Sequence, residues 1–354
     1  MLILVINPGS ISLKIAVYRN RKEIFSSTIL NDQLLFKNKS DIKKNVYIYV
    51  RAIRDLLQNT NFNLSDINVV VGRGGLLRPL KGGVYKINAK MVDDLHGSIM
   101  GEHPSNYGAL IANEFSRISK SKAFIVDPVV VDEMEPVARI SGLPMIERKS
   151  IFHALNQKAV ARKVANRLGK PYNELNLIIV HMGGGITVGC HRNGQVIDVN
   201  NGLDGEGPLS PERSGTLPAG DLIDLCFSGQ YSKQQIKSII KGQGGLTAYL
   251  ETNDVSAIEN RIKQKDKHAA LIYQAMVYQI CKEVGALSTV LKGEVDAIAL
   301  TGGLAKSKKI VQLIKKKIAF IAPVYIYAGE FEMEAMAMGA LRAITGEEKV
   351  KYYN

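Results

Sequence analysis

Cysteine is scarce in this chain: Cys190, Cys226 and Cys281 are the only three among 354 residues, and they lie far apart. That spacing fits neither a disulfide framework nor a zinc site, and an odd count suits a reducing compartment. Proline, at 11, and glycine, at 32, are too few for a collagen-like or low-complexity chain. No apolar run approaches the roughly 18 residues that a membrane-crossing helix needs. The chain opens Met-Leu-Ile-Leu-Val-Ile-Asn-Pro-Gly, with no basic segment and an apolar stretch too short for a secretory signal. These absences predict a soluble, cytoplasmic protein with no membrane partner.

A hydrophobic share of 46% is ordinary for a globular protein, and 354 residues suggest two domains. The net charge of +13 suits anionic partners by steering, and says nothing about fold. The basic residues are scattered, as at Lys43-Lys44, Lys308-Lys309 and Lys315–Lys317, and no helix-turn-helix, RNP or finger pattern occurs. Nucleic acid is therefore not an expected partner. The 315–317 run reads as the solvated face of a helix.

Strand-like and helix-like runs alternate, which predicts an α/β fold. Leu2–Ile6 is solidly apolar and stops at Asn7-Pro8-Gly9; Ile11, Leu13, Ile15 and Val17 then alternate as in a half-buried strand. Segment 40–58 has helical spacing behind Ser40 as N-cap. Helices are also predicted over 104–118, with Pro104 at the first position, and over 151–168, 266–292 and 330–345. Val69–Val71, Phe124–Val126, Val129–Val131, Leu177–Val180 and Ala297–Leu300 read as strands.

Two stretches repeat. Leu2-Ile3-Leu4-Val5 matches Leu177-Ile178-Ile179-Val180, and Ile11-Ser12-Leu13 matches Ile186-Thr187-Val188, both at an offset of 175. Arg19-Asn20 then matches Arg192-Asn193 at 173. A duplication this long predicts two similar lobes, each opening with a hairpin, that face one another across a cleft. Three glycine-bearing turns follow buried strands: Asn7-Pro8-Gly9-Ser10, His181–Gly185 and Thr301-Gly302-Gly303. Bare backbone N–H groups in such turns can converge on phosphate; one such turn alone is more often a plain tight turn, and it is the three together, two in matched places of the repeat, that raise nucleotide binding to an even alternative. No GxxxxGK[ST] and no GxGxxG occurs, so Walker and Rossmann readings have no support.

The segments NPGSISLKIAVY (7–18), HPSNYGA (103–109), DPVVVDEM (127–134), SIFHALNQKAVAR (150–162), HMGGGITVG (181–189), DGEGPLSPERSG (204–215), TGGLA (301–305) and AGEFEMEAMA (328–337) stand in family order. Together they resemble the butyrate kinase branch of the acetate kinase family, within the superfamily of sugar kinases, actin and the large heat-shock chaperones. The resemblance implies two RNase H-like (actin-like ATPase) lobes with an inter-lobe cleft. The N-terminal lobe would take 1–150 plus 331–354, on the carboxylate side; the C-terminal lobe would take 151–330, on the nucleotide side. It implies ATP/ADP and Mg²⁺, and reversible phosphorylation of a short-chain fatty acid to its acyl phosphate. A homodimer or higher homo-oligomer is implied too. Acetate or propionate kinase, or a non-catalytic ATP-binding protein on the same fold, are the alternatives.

Carboxylate attack on a γ-phosphoryl group needs charge neutralisation and in-line positioning more than acid–base help, because the nucleophile is already ionised. Arg73, between Gly72 and Gly74, and Arg213, in a loop, are assigned by resemblance to clamp the carboxylate and the phosphoryl group. The same resemblance makes His153 a donor to γ-phosphoryl oxygens, His181 a phosphate-loop donor and His103 a support of the carboxylate pocket. Asn7, Ser10, Ser12 and Lys14 form the first turn near the phosphoryl group or metal. Gly183, Gly184 and Gly185, with Thr301, Gly302 and Gly303, complete the nucleotide side. Asp127 is assigned to catalysis and, with Glu332 and Asn7, to the metal, which wants few carboxylates beside phosphate and water. Glu330 and Glu334 compete with Glu332 for that role. The family has small hydroxyl residues where this chain has Ile11 and Leu13; strand alternation predicts that both face away from Ser10, Ser12 and Lys14. Leu76, Leu77 and Val84 are the candidates for an apolar acyl pocket.

Overall fold

The computed structural model describes all residues except 35–40, 59 and 61, so Ser40 lies outside the described residues. In chain order it begins with β1 (Leu2–Pro8), β2 (Ser12–Arg19), β3 (Lys22–Leu30), α1 (Ile42–Gln58), β4 (Ile67–Gly72), β5 (Val84–Lys86), α2 (Ala89–His96), α3 (Asn106–Ser119) and β6 (Lys122–Val126). It continues with α4 (Pro136–Arg139), α5 (Ala154–Leu168), β7 (Asn176–Met182), β8 (Ile186–Arg192), β9 (Gln195–Val199), α6 (Ala219–Phe227), α7 (Lys233–Ile240), α8 (Leu246–Leu250), α9 (Val255–Lys263) and α10 (Lys267–Val290). β10 (Ala297–Gly302), α11 (Lys308–Ile318), β11 (Val324–Ala328), α12 (Glu332–Thr345) and β12 (Lys351–Tyr352) close it.

The chain divides into two compact units: Met1–Val131 with Phe331–Asn354, and Asp132–Glu330. Residues 132–150 thus fall with the second unit, whereas the sequence reading draws its boundary at 150. Polar ties hold the segment there. Glu133 pairs with Lys158 at 2.8 Å and accepts the Val196 N–H at 2.9 Å. Arg148 donates to Asp198 at 2.9 Å, and the Glu135 N–H donates to Ile197 O at 2.9 Å.

The first unit carries a sheet ordered β12-β5-β6-β4-β1-β2-β3, the second one ordered β11-β10-β7-β8-β9. In the first, β1 pairs antiparallel with β2 and β2 with β3, while β1–β4 and β4–β6 are parallel. In the second, β7–β8 and β8–β9 are antiparallel, while β7–β10 and β10–β11 are parallel. Five strands therefore repeat in order and direction, as the duplication predicts. The central strands read as continuous apolar runs because helices cover both sheet faces; Ile3 to Ile6 and Leu177 to Val180 are wholly buried. α1 buries Val46, Tyr49, Val50, Ile53 and Leu57 at helical spacing. α11 buries Ile310, Ile314 and Ile318 and turns Lys315–Lys317 to solvent.

Several sequence expectations shift. Val129–Val131 forms no strand; one bridge from Val131 to Leu80 follows Pro128, which has no N–H to give a ladder. Pro104 stands outside α3, which begins at Asn106 behind Ser105. Leu13 faces the core, but Ile11 is 77% exposed: it sits in the turn before β2 begins, where alternation does not apply.

α3 lies unusually close to the end of β4. A β-carbon on Gly108 would stand 2.7 Å from the Arg73 backbone nitrogen, and one on Gly72 would strike Gly108. This contact fixes where Arg73 leaves the strand. Gly108→Ala is expected to cost about 1–3 kcal/mol by overpacking, read as a lower urea midpoint. An unchanged midpoint would show that the contact is loose.

Candidate active site

In the first unit, three side chains meet where β1, β4 and α12 converge. Arg73 leaves the end of β4, its N–H bonded to Ile6 O at 2.9 Å. Its guanidinium grips Glu332 with both terminal nitrogens, at 2.9 and 2.8 Å, and reaches Asn7 Oδ1 at 3.1 Å. Asn7 Nδ2 donates to Glu332 Oε2 at 2.9 Å. The planar fork suits a bidentate pair, whose geometry holds both partners still. Glu332 opens α12, where the helix N-terminus favours a carboxylate.

Asn7 and Glu332 also supply oxygen donors of the kind a hard divalent cation takes. They fit Mg²⁺ as one or two protein oxygens beside phosphate and water. Asp127 is held differently. It is 1% exposed, with its Oδ1 accepting the Gly83 N–H at 2.7 Å and its own N–H donating to Gly83 O at 3.0 Å. Its φ of +37° is strained for a non-glycine residue, and the reciprocal bonds to Gly83 sustain it.

The turn after β1 closes through Gly9 N–H to Ser12 O at 2.8 Å. Asn31 Nδ2 braces it, donating to the carbonyls of Gly9 and Ser10 at 2.9 and 3.0 Å. Ser10 and Lys14 are exposed and Ser12 is half-buried. A cavity of about 620 Å³ opens beside this turn, bordered by Ser10, Tyr49, His103, Asn106 and Tyr107 among others. His103 Nδ1 accepts the Ser105 N–H at 3.2 Å and lies 2.7 Å from Ser105 Oγ. Leu77 and Val84 do not border this cavity; both are wholly buried as ordinary packing residues. Leu76 is half-buried, its N–H donated to Asn106 Oδ1 at 2.8 Å.

The second unit gathers a separate set. His181, next to last in β7, lies 2.9 Å from Asn156 Oδ1 through its Nδ1, and Thr301 Oγ1 reaches the same oxygen at 3.2 Å. His153, at the N-cap of α5, stacks on His181 with ring centroids 3.8 Å apart and planes 11° from parallel. Its Nδ1 lies 2.9 Å from Thr187 Oγ1. The loop carrying Arg213 is fastened to the glycine turn: Ser210 Oγ and the Glu212 N–H both donate to Gly184 O, at 2.7 and 3.1 Å. The Arg213 guanidinium fills the space a β-carbon at Gly185 would need, and donates to Gly202 O. Burial pulls its pKa down, and Glu212 pushes it back up. Glu212 itself accepts from Asn253 at 2.7 Å. Among the described residues no carboxylate comes within ion-pair distance of Arg213.

Two glycine N–H groups are already used. Gly183 donates to Gly185 O at 3.0 Å and Gly302 to Gly329 O at 3.1 Å. Gly302, at φ +88°, has the backbone of Met182 where a β-carbon would lie. Gly303 faces open space.

A profile of the acetokinase family matches residues 144–330. Butyrate kinase 2 of Clostridium acetobutylicum is 50% identical over 351 residues, which are 99% of each chain. The chain belongs to the acetokinase family. Butyrate kinase 1 of the same organism is 51% identical, also over 99% of each chain. Solved structures agree in fold. The acetate kinase of Porphyromonas gingivalis superposes with a TM-score of 0.80 at 19% identity, covering 97% of this chain and 99% of its own. A propionate kinase from Francisella tularensis gives 0.72 at 18% identity, covering 95% and 98%. The architecture is thus that of the acetokinases, the two-unit actin-like ATPase fold. No helix among the described residues is long and apolar enough to cross a membrane.

Sequence reasoning passed over the residues that hold the two stacked histidines. Asn156, Gln157 and Lys158 are consecutive and all but fully buried. Three polar residues in a row read as solvent-facing in an amphipathic helix, so only the fold reveals them. Gln157 in turn holds His191, whose pKa lies well below 6.5 because burial disfavours its charged form, with Lys158 and Arg162 adding to the effect. Below about pH 6.5 the unfolded chain therefore binds a proton that folded His191 refuses, so this residue makes stability fall as pH falls. His191→Asn is expected to flatten the urea-midpoint profile between pH 7 and pH 5, by up to about 1.4 kcal/mol per pH unit. Identical slopes in both proteins would mean that His191 is charged when folded.

Proposed function

We propose that this chain transfers the γ-phosphoryl group of ATP to a short-chain carboxylate, butyrate or a branched relative, by direct in-line attack, and runs the reaction in both directions. The relatives of equal length at 50 and 51% identity bear the name butyrate kinase. The observation that carries the proposal is Arg213, a half-buried guanidinium laid on the glycine turn beside Gly185 with a carbonyl, not a carboxylate, as its partner. A guanidinium partly removed from water, with no carboxylate at ion-pair distance among the described residues, suits an anionic ligand.

Each group then has a task. Arg213 offsets charge on the transferring phosphoryl group, the role in which one arginine is worth about 10³–10⁵ in rate elsewhere. Arg73, whose fork holds the Glu332 carboxylate, would take the substrate carboxylate in exchange for it, leaving Glu332 to the cation. His153 and His181 present ring nitrogens to phosphoryl oxygens. Glu332 and Asn7 would hold Mg²⁺, whose positive charge would screen the phosphates. Asp127 keeps the turn at Gly83 in place. Ser10 borders the cavity and stands three residues beyond Asn7, so the acyl chain belongs against Tyr49 and Tyr107. We place the enzyme in the cytoplasm as a homodimer or larger homo-oligomer.

The test is a hydroxamate assay with ATP, Mg²⁺ and straight and branched acids from two to five carbons. Butyrate or isobutyrate should be preferred, with each methylene discriminated by about 1–3 kcal/mol. Arg213→Ala is expected to lose two or more orders of magnitude in kcat and keep an unchanged circular dichroism spectrum. Near-normal turnover in that variant would remove Arg213 from the mechanism, and silence with every acid would refute the reading. A preference for acetate or propionate would move the chain to those branches.

A further inference from the structure

A line of side chains, half-buried at Tyr172 and buried at His191, Gln157 and Thr187, runs behind His153. Tyr172 OH lies 2.7 Å from His191 Nδ1, and His191 Nε2 lies 3.0 Å from Gln157 Oε1. Gln157 Nε2 reaches the Thr187 carbonyl at 3.1 Å and Thr187 Oγ1 at 2.9 Å; that oxygen stands 2.9 Å from His153 Nδ1. Gln157, Thr187 and His191 are all wholly buried.

The proton positions along this line can be solved in order. The Thr187 carbonyl can only accept, so the nitrogen end of the Gln157 amide must face it. The oxygen end then faces His191, whose Nε2 must carry a proton. Burial keeps His191 neutral, so its Nδ1 is bare and accepts from Tyr172 OH. At the other end, Thr187 Oγ1 already accepts from Gln157. Among the described residues, the acceptor that faces its own hydroxyl proton is His153 Nδ1. The reverse arrangement, with Nδ1–H donating to Thr187, would leave a fully buried hydroxyl proton with nowhere to go.

We propose that Thr187, backed by Gln157, His191 and Tyr172, holds His153 as the tautomer with its proton on Nε2. The four are positioning residues. Stacking on His181 sets the plane of the His153 ring, and Thr187 sets its rotation within that plane. The ring thus meets its ligand as a fixed N–H donor and loses no freedom at that moment. This rests on the assignment of His153 to the phosphoryl group in the proposed reaction, but the tautomer is a property of the free protein.

The experiment uses full-length protein labelled with ¹⁵N at histidine. Two-bond ¹H–¹⁵N correlation at pH 8, with His153 assigned by its loss in His153→Gln, is expected to show Nε2–H. In Thr187→Val the pattern should become mixed, with kcat at least tenfold lower and the KM for ATP changed less than threefold. Thr187→Ser, which keeps the hydroxyl, should restore both. An Nδ1–H form in the wild-type protein would overturn the proposal, as would a Thr187→Val protein that keeps the Nε2–H form and normal kcat. If wild-type protein shows the Nε2–H form but phosphorylates no acid, the tautomer stands and the proposed reaction falls.

Discussion

A guanidinium serves a passing anion most readily where no fixed carboxylate already holds it. Arg73 and Arg213 stand on opposite sides of that constraint. Arg73 has Glu332 in a bidentate grip, and its charge is largely answered. Arg213 has Gly202 O and an empty glycine face, and its charge is open. Holding it so costs desolvation energy, which is why its pKa is pulled down. The rest of the second unit makes the position tenable: Ser210 and Glu212 fasten the loop to Gly184, and Glu212 is turned toward Asn253. Any carboxylate brought closer would stabilise the folded chain and compete with the ligand.

The same economy explains the glycines. Gly185 is bare because Arg213 lies on it, and Gly108 is bare because Arg73 leaves β4 against it. Their small size is a packing requirement imposed by the functional side chain. Elsewhere in the glycine turns, the N–H groups of Gly183 and Gly302 donate to carbonyls of their own unit.

Much of this was legible in the residues. The solid apolar runs at Leu2–Ile6 and Leu177–Val180 mark the central strands, and their repetition announces two like sheets before any coordinates. Arg73 is legible because it follows a buried strand between glycines. Other features depend on distance in space. Nothing near Glu332 in the chain says that its carboxylate meets Arg73, a residue 259 positions away. Leu77 and Val84 are apolar and close to Arg73 in the chain, yet apolar character alone does not separate a pocket wall from core packing, and both are wholly buried. Ile11 failed for a related reason: alternation applies only once the strand has begun. Thr187 was visible in the repeat, but its hydroxyl matters only because His153 comes to it from α5.

The duplication reaches further than the strand order. Asn7 and His181 are each next to last in the first strand of their unit. Ile6 pairs with Gly72, so Arg73 stands beside Asn7; Thr301 pairs with His181 directly. The equivalent places are therefore Asn7 with Arg73 and His181 with Thr301. In each unit a helix then supplies a third residue from its first turn that joins the two. Glu332 of α12 bonds both Asn7 and Arg73, and Asn156 of α5 bonds both His181 and Thr301. One register thus builds two clusters of the same shape. Their chemistry differs because one copy carries a carboxylate and a guanidinium where the other carries an amide and a hydroxyl. The charged version can recognise a carboxylate and fit a cation; the neutral version can only orient an imidazole. The repeated scaffold thus carries two different chemistries through a change of charge at two of its three matched positions.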